Sequence, residues 1–109
     1  NGGVRTAHWD WFMQPFYAYI LKCSDGSYYT GHTDDLEKRL WEHNNKKYAG
    51  YTSTRLPIQL VYAEFFYTRE EALAAEMKLK TWGRRKKEAL INNGWEGIIA
   101  LRKKNKKED

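Results

Sequence analysis

Cysteine is nearly absent: the 109 residues hold one, Cys23. A single thiol excludes an internal disulfide framework, and in a strand-forming run it reads as a buried, inert side chain. No apolar run approaches the roughly 20 residues that cross a bilayer, and no secretory signal pattern is present. A soluble, cytoplasmic protein is therefore expected. There is no Cys-x-x-Cys pair, no His-Glu-x-x-His, no glycine-rich phosphate loop and no internal repeat. Ser24 and Ser27 fall in a turn and Ser53 in a loop, so no serine sits in a nucleophile elbow.

What is present is aromatic and basic. Five Trp, eight Tyr and four Phe suffice for a core, and the length argues for one domain rather than two. The formal net charge of +5 and the sequence pI near 9.3 suit a polyanionic partner. Residues 1–15 stand apart as an N-terminal extension or an expression remnant. His8, Trp9, Trp11 and Phe12 lie there, and no function is placed on them.

The informative stretch is 16–43. An apolar and aromatic run, Phe16 to Leu21, turns at Ser24-Asp25-Gly26-Ser27 and resumes at Tyr28, a hairpin signal. Two registers are open. A two-residue Asp25-Gly26 turn puts Tyr19 and Tyr29 on opposite faces. A three-residue loop with a left-handed Gly26 pairs Cys23 with Ser27, sets Tyr19 against Gly31, and leaves Tyr29 diagonal to Tyr19 on one face. Shared chemistry needs the second register, which we expect.

A helix over about 35–46 follows, with Asp34 and Glu37 as its capping box and Leu36 and Leu40 as its core stripe. His43 falls in that stripe and Arg39 at its edge, one turn apart. Two strands and a helix then bring Tyr19, Tyr29, His32, Arg39 and His43 toward one surface. A polar loop over 44–57 carries Lys46, Lys47, Tyr48, Tyr51 and Arg55. Cations interleaved with tyrosines suit single-stranded nucleic acid, although an ordinary loop with aromatic anchors has the same composition.

Ile58 to Phe66 reads as a buried central strand. Thr68 starts a second helix with Glu71 completing its capping box. Glu76 lies at the edge of the stripe Ala72, Ala75, Leu79 and Trp82, where a carboxylate points to water or has a metal or cationic partner. Six cations crowd 78–87: Lys78, Lys80, Arg84, Arg85, Lys86 and Lys87. Such a cluster reads as a phosphate contact or as a solvated helix face. A short helix over about 85–92 should end before Gly94. Trp95, Ile98, Ile99 and Leu101 form a last short element, and 102–109 reads as a charged disordered tail.

Tyr17-Ala18-Tyr19 and Tyr29-Thr30-Gly31, with Arg39, His43, the Tyr51-Thr52 loop and Glu76, resemble the GIY-YIG nuclease superfamily. The likeness is to its small stand-alone bacterial branch, similar in turn to the nuclease domain of the bacterial excinuclease, and it covers about Phe16 to Asn93. It implies an α/β fold with a small, mainly antiparallel three-stranded sheet flanked by helices, in the order β-β-α-β-α-α. It also implies a metal-dependent endonuclease acting on DNA, single-stranded or branched, in a DNA-repair setting.

In that likeness Glu76 holds Mg²⁺ (or Mn²⁺), and Tyr19 acts as general base supported by His43. Tyr29 orients water or phosphate, Arg39 grips the phosphate, and His32 binds phosphate or relays a proton. Lys46, Lys47, Tyr51, Arg55, Lys80, Arg84, Arg85, Lys86 and Lys87 are the nucleic-acid contacts. A tyrosine base needs cationic neighbours, because its ordinary pKa is near 10. The chain departs from the superfamily at Tyr17, where the first glycine stands, and at Thr30. The late asparagine has no counterpart, since Glu88 falls near its position and Asn92 and Asn93 come later. Two other functions fit the same residues: a nucleic-acid-binding domain that cuts poorly, and a protein-interaction module with a basic face.

Overall fold

Three β-prone runs pair into one antiparallel sheet in the computed structural model, which describes residues 15–47 and 50–108. The strands are β1 (Phe16–Lys22), β2 (Tyr28–Thr33) and β3 (Gln59–Phe66), in the spatial order β2-β1-β3. The apolar run over 58–66 is thus an edge strand, not the central one. Its burial explains why: Ala18, Ile20 and Leu21 of β1 are wholly buried, whereas β3 is only half-buried along its length. Among the three, only β1 buries a run of consecutive apolar side chains, which the pleat sends to both faces.

The hairpin adopts the three-residue loop. Cys23 N–H donates to the Ser27 carbonyl at 2.8 Å, Gly26 is left-handed at φ 86°, and Tyr19 pairs with Gly31 and Leu21 with Tyr29. Asp25 Oδ1 fixes the loop by accepting from the Ser27 N–H (3.0 Å) and hydroxyl (2.5 Å). The β1–β3 register slips by one between Ile20 and Leu21, which face Tyr62 and Leu60, so Val61 bulges.

Helix α1 (Leu36–Asn44) is capped by Asp35, whose Oδ1 accepts from Lys38 N–H at 3.1 Å. Asp34, the expected cap, is drawn instead toward Arg69 at 3.4 Å, while Thr33 Oγ1 accepts from the Asp35 N–H. Leu36 and Leu40 pack on Tyr19, Leu21, Cys23 and Ile58, forming the core on one sheet face. Each such aliphatic side chain contributes roughly 1.5–3 kcal/mol on full burial. A short 3₁₀ turn, Tyr51–Thr54, and a cis Leu56–Pro57 bond lead into β3.

Helix α2 (Arg69–Lys80) starts as its capping signal predicts, with Thr68 Oγ1 accepting from Glu71 N–H at 3.1 Å. Helix α3 (Arg84–Glu108) breaks at Gly94 (φ 65°, ψ −159°). Beyond the break the backbone is helical through Glu108. The chain groups into two compact units that divide after Glu76. In the second, Leu79, Leu90 and Ile98 are buried, and the Trp82 and Trp95 rings meet edge-on at 5.7 Å. Among the described residues no helix is long and apolar enough to cross a membrane.

Candidate active site

Strand pleating decides which side chains can cooperate. Tyr19, Tyr29 and Gly31 share the α1 face of the sheet, because Tyr19 pairs with Gly31 and Tyr29 lies two residues before it. The Tyr19 ring lies across Gly31, where an added Cβ would stand 2.5 Å from the phenol oxygen and 2.7 Å from Cζ. The second triplet ends in glycine because the tyrosine of the first occupies the space above it. Tyr19 is 1% exposed, whereas Tyr29 is only half-buried.

Helix α1 adds two groups to this face. The stripe that buries Leu36 and Leu40 carries His43 inward to full burial. His43 Nδ1 lies 2.6 Å from Thr52 Oγ1, and its ring meets Tyr29 edge-on at 5.4 Å. Burial pushes the His43 pKa below its ordinary value, the Arg39 charge pushes the same way, and Glu42 opposes them. Arg39, one turn earlier, sets Nε 3.3 Å from Glu42 and borders a polar hollow of about 90 Å³ with Thr33 and Asp35.

His32 and Glu76 stand elsewhere. His32 follows Gly31 and pairs with Ala18, so the pleat turns its side chain to the opposite face. There its Nδ1 lies 2.6 Å from Glu76 Oε1 of α2. The expectation that His32 shares the tyrosine surface therefore does not hold. Glu76 is 9% exposed, and the partner its position called for is the His32 ring, 44 residues earlier in the chain. Nothing local in the sequence announces that pair. The tyrosines with His43 and the His32–Glu76 pair therefore lie on opposite faces of the sheet.

The 3₁₀ turn is held down from three sides. Tyr51 stacks on Tyr29 (6.3 Å between centroids, 22° between planes), and the Arg55 guanidinium lies 3.8 Å over the Tyr51 ring. Arg55 also donates to Asp25 Oδ2 (3.1 Å) and to the Tyr51 carbonyl (2.7 Å). Tyr51 remains 42% exposed. Lys46 and Lys47 are exposed, while Tyr48 and the aromatic residues expected in the extension lie outside the described residues. The roles of Thr52 and Asp25 were not foreseen. A Thr beside the tyrosine of the loop was the available signal for one, and an acidic hairpin tip for the other.

The cations of the second unit divide by circumstance. Lys80, Arg84 and Arg85 are exposed, with Arg84 Nε 3.0 Å from Glu88, four residues on. Lys86 lies over the Trp82 ring at 4.2 Å. Lys87 is half-buried, and desolvation lowers its pKa.

The GIY-YIG catalytic domain family matches residues 15–89. A UPF0213 protein of Staphylococcus saprophyticus is 52% identical over 82 residues, covering 75% of this chain and all of the relative. A UPF0213 protein of Streptococcus pneumoniae is 49% identical over 76 residues, covering 70% of this chain and 77% of the relative. The solution NMR structure of a protein from E. faecalis is similar at 41% identity and a TM-score of 0.51, over 72% of this chain and 83% of that one.

Proposed function

Because the chain belongs to the GIY-YIG domain family, we propose that it is a metal-dependent endonuclease that hydrolyses phosphodiester bonds of DNA, single-stranded or branched. The observation that carries this reading is the tyrosine pair on one face, with His43 against Tyr29 and Arg39 one helical turn away.

The roles follow from burial and reach. Tyr29, half-buried, is the better candidate to take or position the proton of the attacking water, and His43 braces its ring. Tyr19, packed over Gly31, holds that arrangement from beneath. Arg39 offers a forked, permanently charged donor to the phosphate. The water oxygen adds to phosphorus, the bond from phosphorus to the departing sugar oxygen breaks, and that oxygen takes up a proton. The scissile phosphate belongs at the outer edge of β2, where groups from both faces can approach one atom.

The donor set suits Mg²⁺ (or Mn²⁺). Glu76 is one nearly buried carboxylate oriented by His32, and the described residues contain no cluster of three or more ligating side chains. Mg²⁺ commonly takes one or two carboxylates and fills its shell with water and phosphate oxygens. Bound there, the ion would polarise the phosphate and neutralise charge on the leaving oxygen.

A second reading, binding with little cutting, draws on the 2.6 Å contact that already engages Glu76. The deciding experiment is cleavage of labelled single-stranded and duplex DNA in Mg²⁺, Mn²⁺ or EDTA. Metal-dependent cutting that is absent from Glu76→Ala and Tyr29→Phe supports the enzyme. Folded protein that binds at low salt and never cuts supports the second reading.

A further inference from the structure

Charge is divided unequally between the two units. Residues 1–76, which hold the tyrosines, His43 and Glu76, carry eight Lys and Arg against ten Asp and Glu, a formal −2. Residues 77–109 carry eleven against four, a formal +7. The whole basic balance of the protein therefore lies in the helical unit, and the unit with the candidate chemistry is slightly acidic. An acidic surface repels phosphate at long range, so it cannot by itself gather a polyanion.

Within the helical unit the cations at 84–87 are partly committed, Arg84 to Glu88 and Lys86 to Trp82, and Lys87 is half-buried. Arg102, Lys103 and Lys104 are exposed on the segment that runs helically past Gly94. Helical spacing places Arg102 and Lys103 on the same face as Trp95 and Ile99, which are 43% and 50% exposed. That face joins exposed apolar side chains to a cationic end on a helical backbone. The GIY-YIG match stops at residue 89, so Arg102, Lys103 and Lys104 lie outside the matched domain.

We propose that the helix beyond Gly94 is a nucleic-acid capture element, in which Arg102, Lys103 and Lys104 contact the phosphate backbone. Capture and chemistry are then carried by separate units of one short chain. Charge complementarity selects this partner, and the inference rests on the reading of nucleic acid as the substrate class.

The test is binding of a fluorescein-labelled DNA oligonucleotide to the full chain in EDTA, over a series of salt concentrations. Changing Arg102, Lys103 and Lys104 together to Gln should lower the slope of log K against log salt by about two, at roughly 0.7–0.9 per lost phosphate contact. Affinity at 0.1 M salt should fall about tenfold or more. A charge-preserving triple variant, Arg102→Lys with Lys103→Arg and Lys104→Arg, should bind like wild type. An unchanged slope in the Gln variant overturns the proposal. So does a larger loss in Lys46→Gln with Lys47→Gln, or tighter binding to anionic lipid vesicles than to DNA. The same proteins assayed in Mg²⁺ separate the two claims: a slope loss without cutting in any of them sinks the nuclease and leaves the capture element standing.

Discussion

The phenol oxygen of Tyr19 occupies the space a side chain at Gly31 would need, 2.5 Å from an ideal Cβ. Two motif residues 12 positions apart are thereby fitted to one another across β1 and β2. Gly31→Ala should displace the Tyr19 ring and destabilise the fold by about 1–3 kcal/mol through overpacking. Urea unfolding measures the cost. A variant as stable as wild type would mean that the ring moves freely.

Glu76 and His32 should separate in their effects. Glu76→Ala removes the carboxylate, and cutting should fall below detection while the fold survives. His32→Ala removes only the group that orients it, and should weaken metal affinity or activity by about 10- to 100-fold. Mn²⁺ titration of cleavage tells them apart, since His32→Ala should be partly rescued at high metal and Glu76→Ala should not.

Acid should weaken the α1 face. Burial and Arg39 hold the folded pKa of His43 below its ordinary 6.5, with Glu42 opposing. Between the folded and unfolded values the unfolded chain binds the extra proton, so stability rises with pH across that window. The contribution is complete above about 6.5 and is lost as pH falls through the folded value. Denaturation near pH 7.5 and pH 5 should show a larger drop in wild type than in His43→Gln. Equal drops would assign the titration to another group.

Tyr51 and Arg55 should matter more for binding than for folding. Arg55→Ala removes a surface ion pair with Asp25, and exposed pairs of that kind contribute at most about 1 kcal/mol. Tyr51→Leu removes a ring held between Tyr29 and Arg55, on which a base stacks by displacing the guanidinium, a loss of about 1–3 kcal/mol per base, or roughly 5- to 150-fold in single-strand affinity. Fluorescence anisotropy with single-stranded and duplex oligonucleotides checks the difference. Equal losses on both forms would remove stacking as the cause.

The hairpin was legible because its chemistry is local. Asp25 and Gly26 determine the loop, and the loop sets the register that joins Tyr19 to Gly31. The cap of α1 was misplaced by one because Asp34 and Asp35 are equivalent in sequence, and Arg69, 35 residues away, claims the first. The position of β3 at the sheet edge was hidden for a related reason. An apolar run shows that a strand packs against others, not how deeply it is buried or which neighbours it has. His32 and Glu76 were singled out separately, but their contact depends on where α2 lies across the sheet. The length of the helix beyond Gly94 was not legible, because Trp95, Ile98, Ile99 and Leu101 show only a short apolar element, in which Ile98 is buried as deeply as core side chains of the sheet such as Tyr19 and Cys23.

Gly97 gives the basic helix its direction. A β-carbon there would stand 2.5 Å from the Ala89 carbonyl oxygen and 2.8 Å from Asn93 Cβ, and backbone does not yield as a side chain does. The heading of every cation after it is therefore written in a hydrogen atom. One methyl at position 97 would act as a wedge, swinging the charged end through an arc and moving Arg102 and Lys103 without altering a single charge.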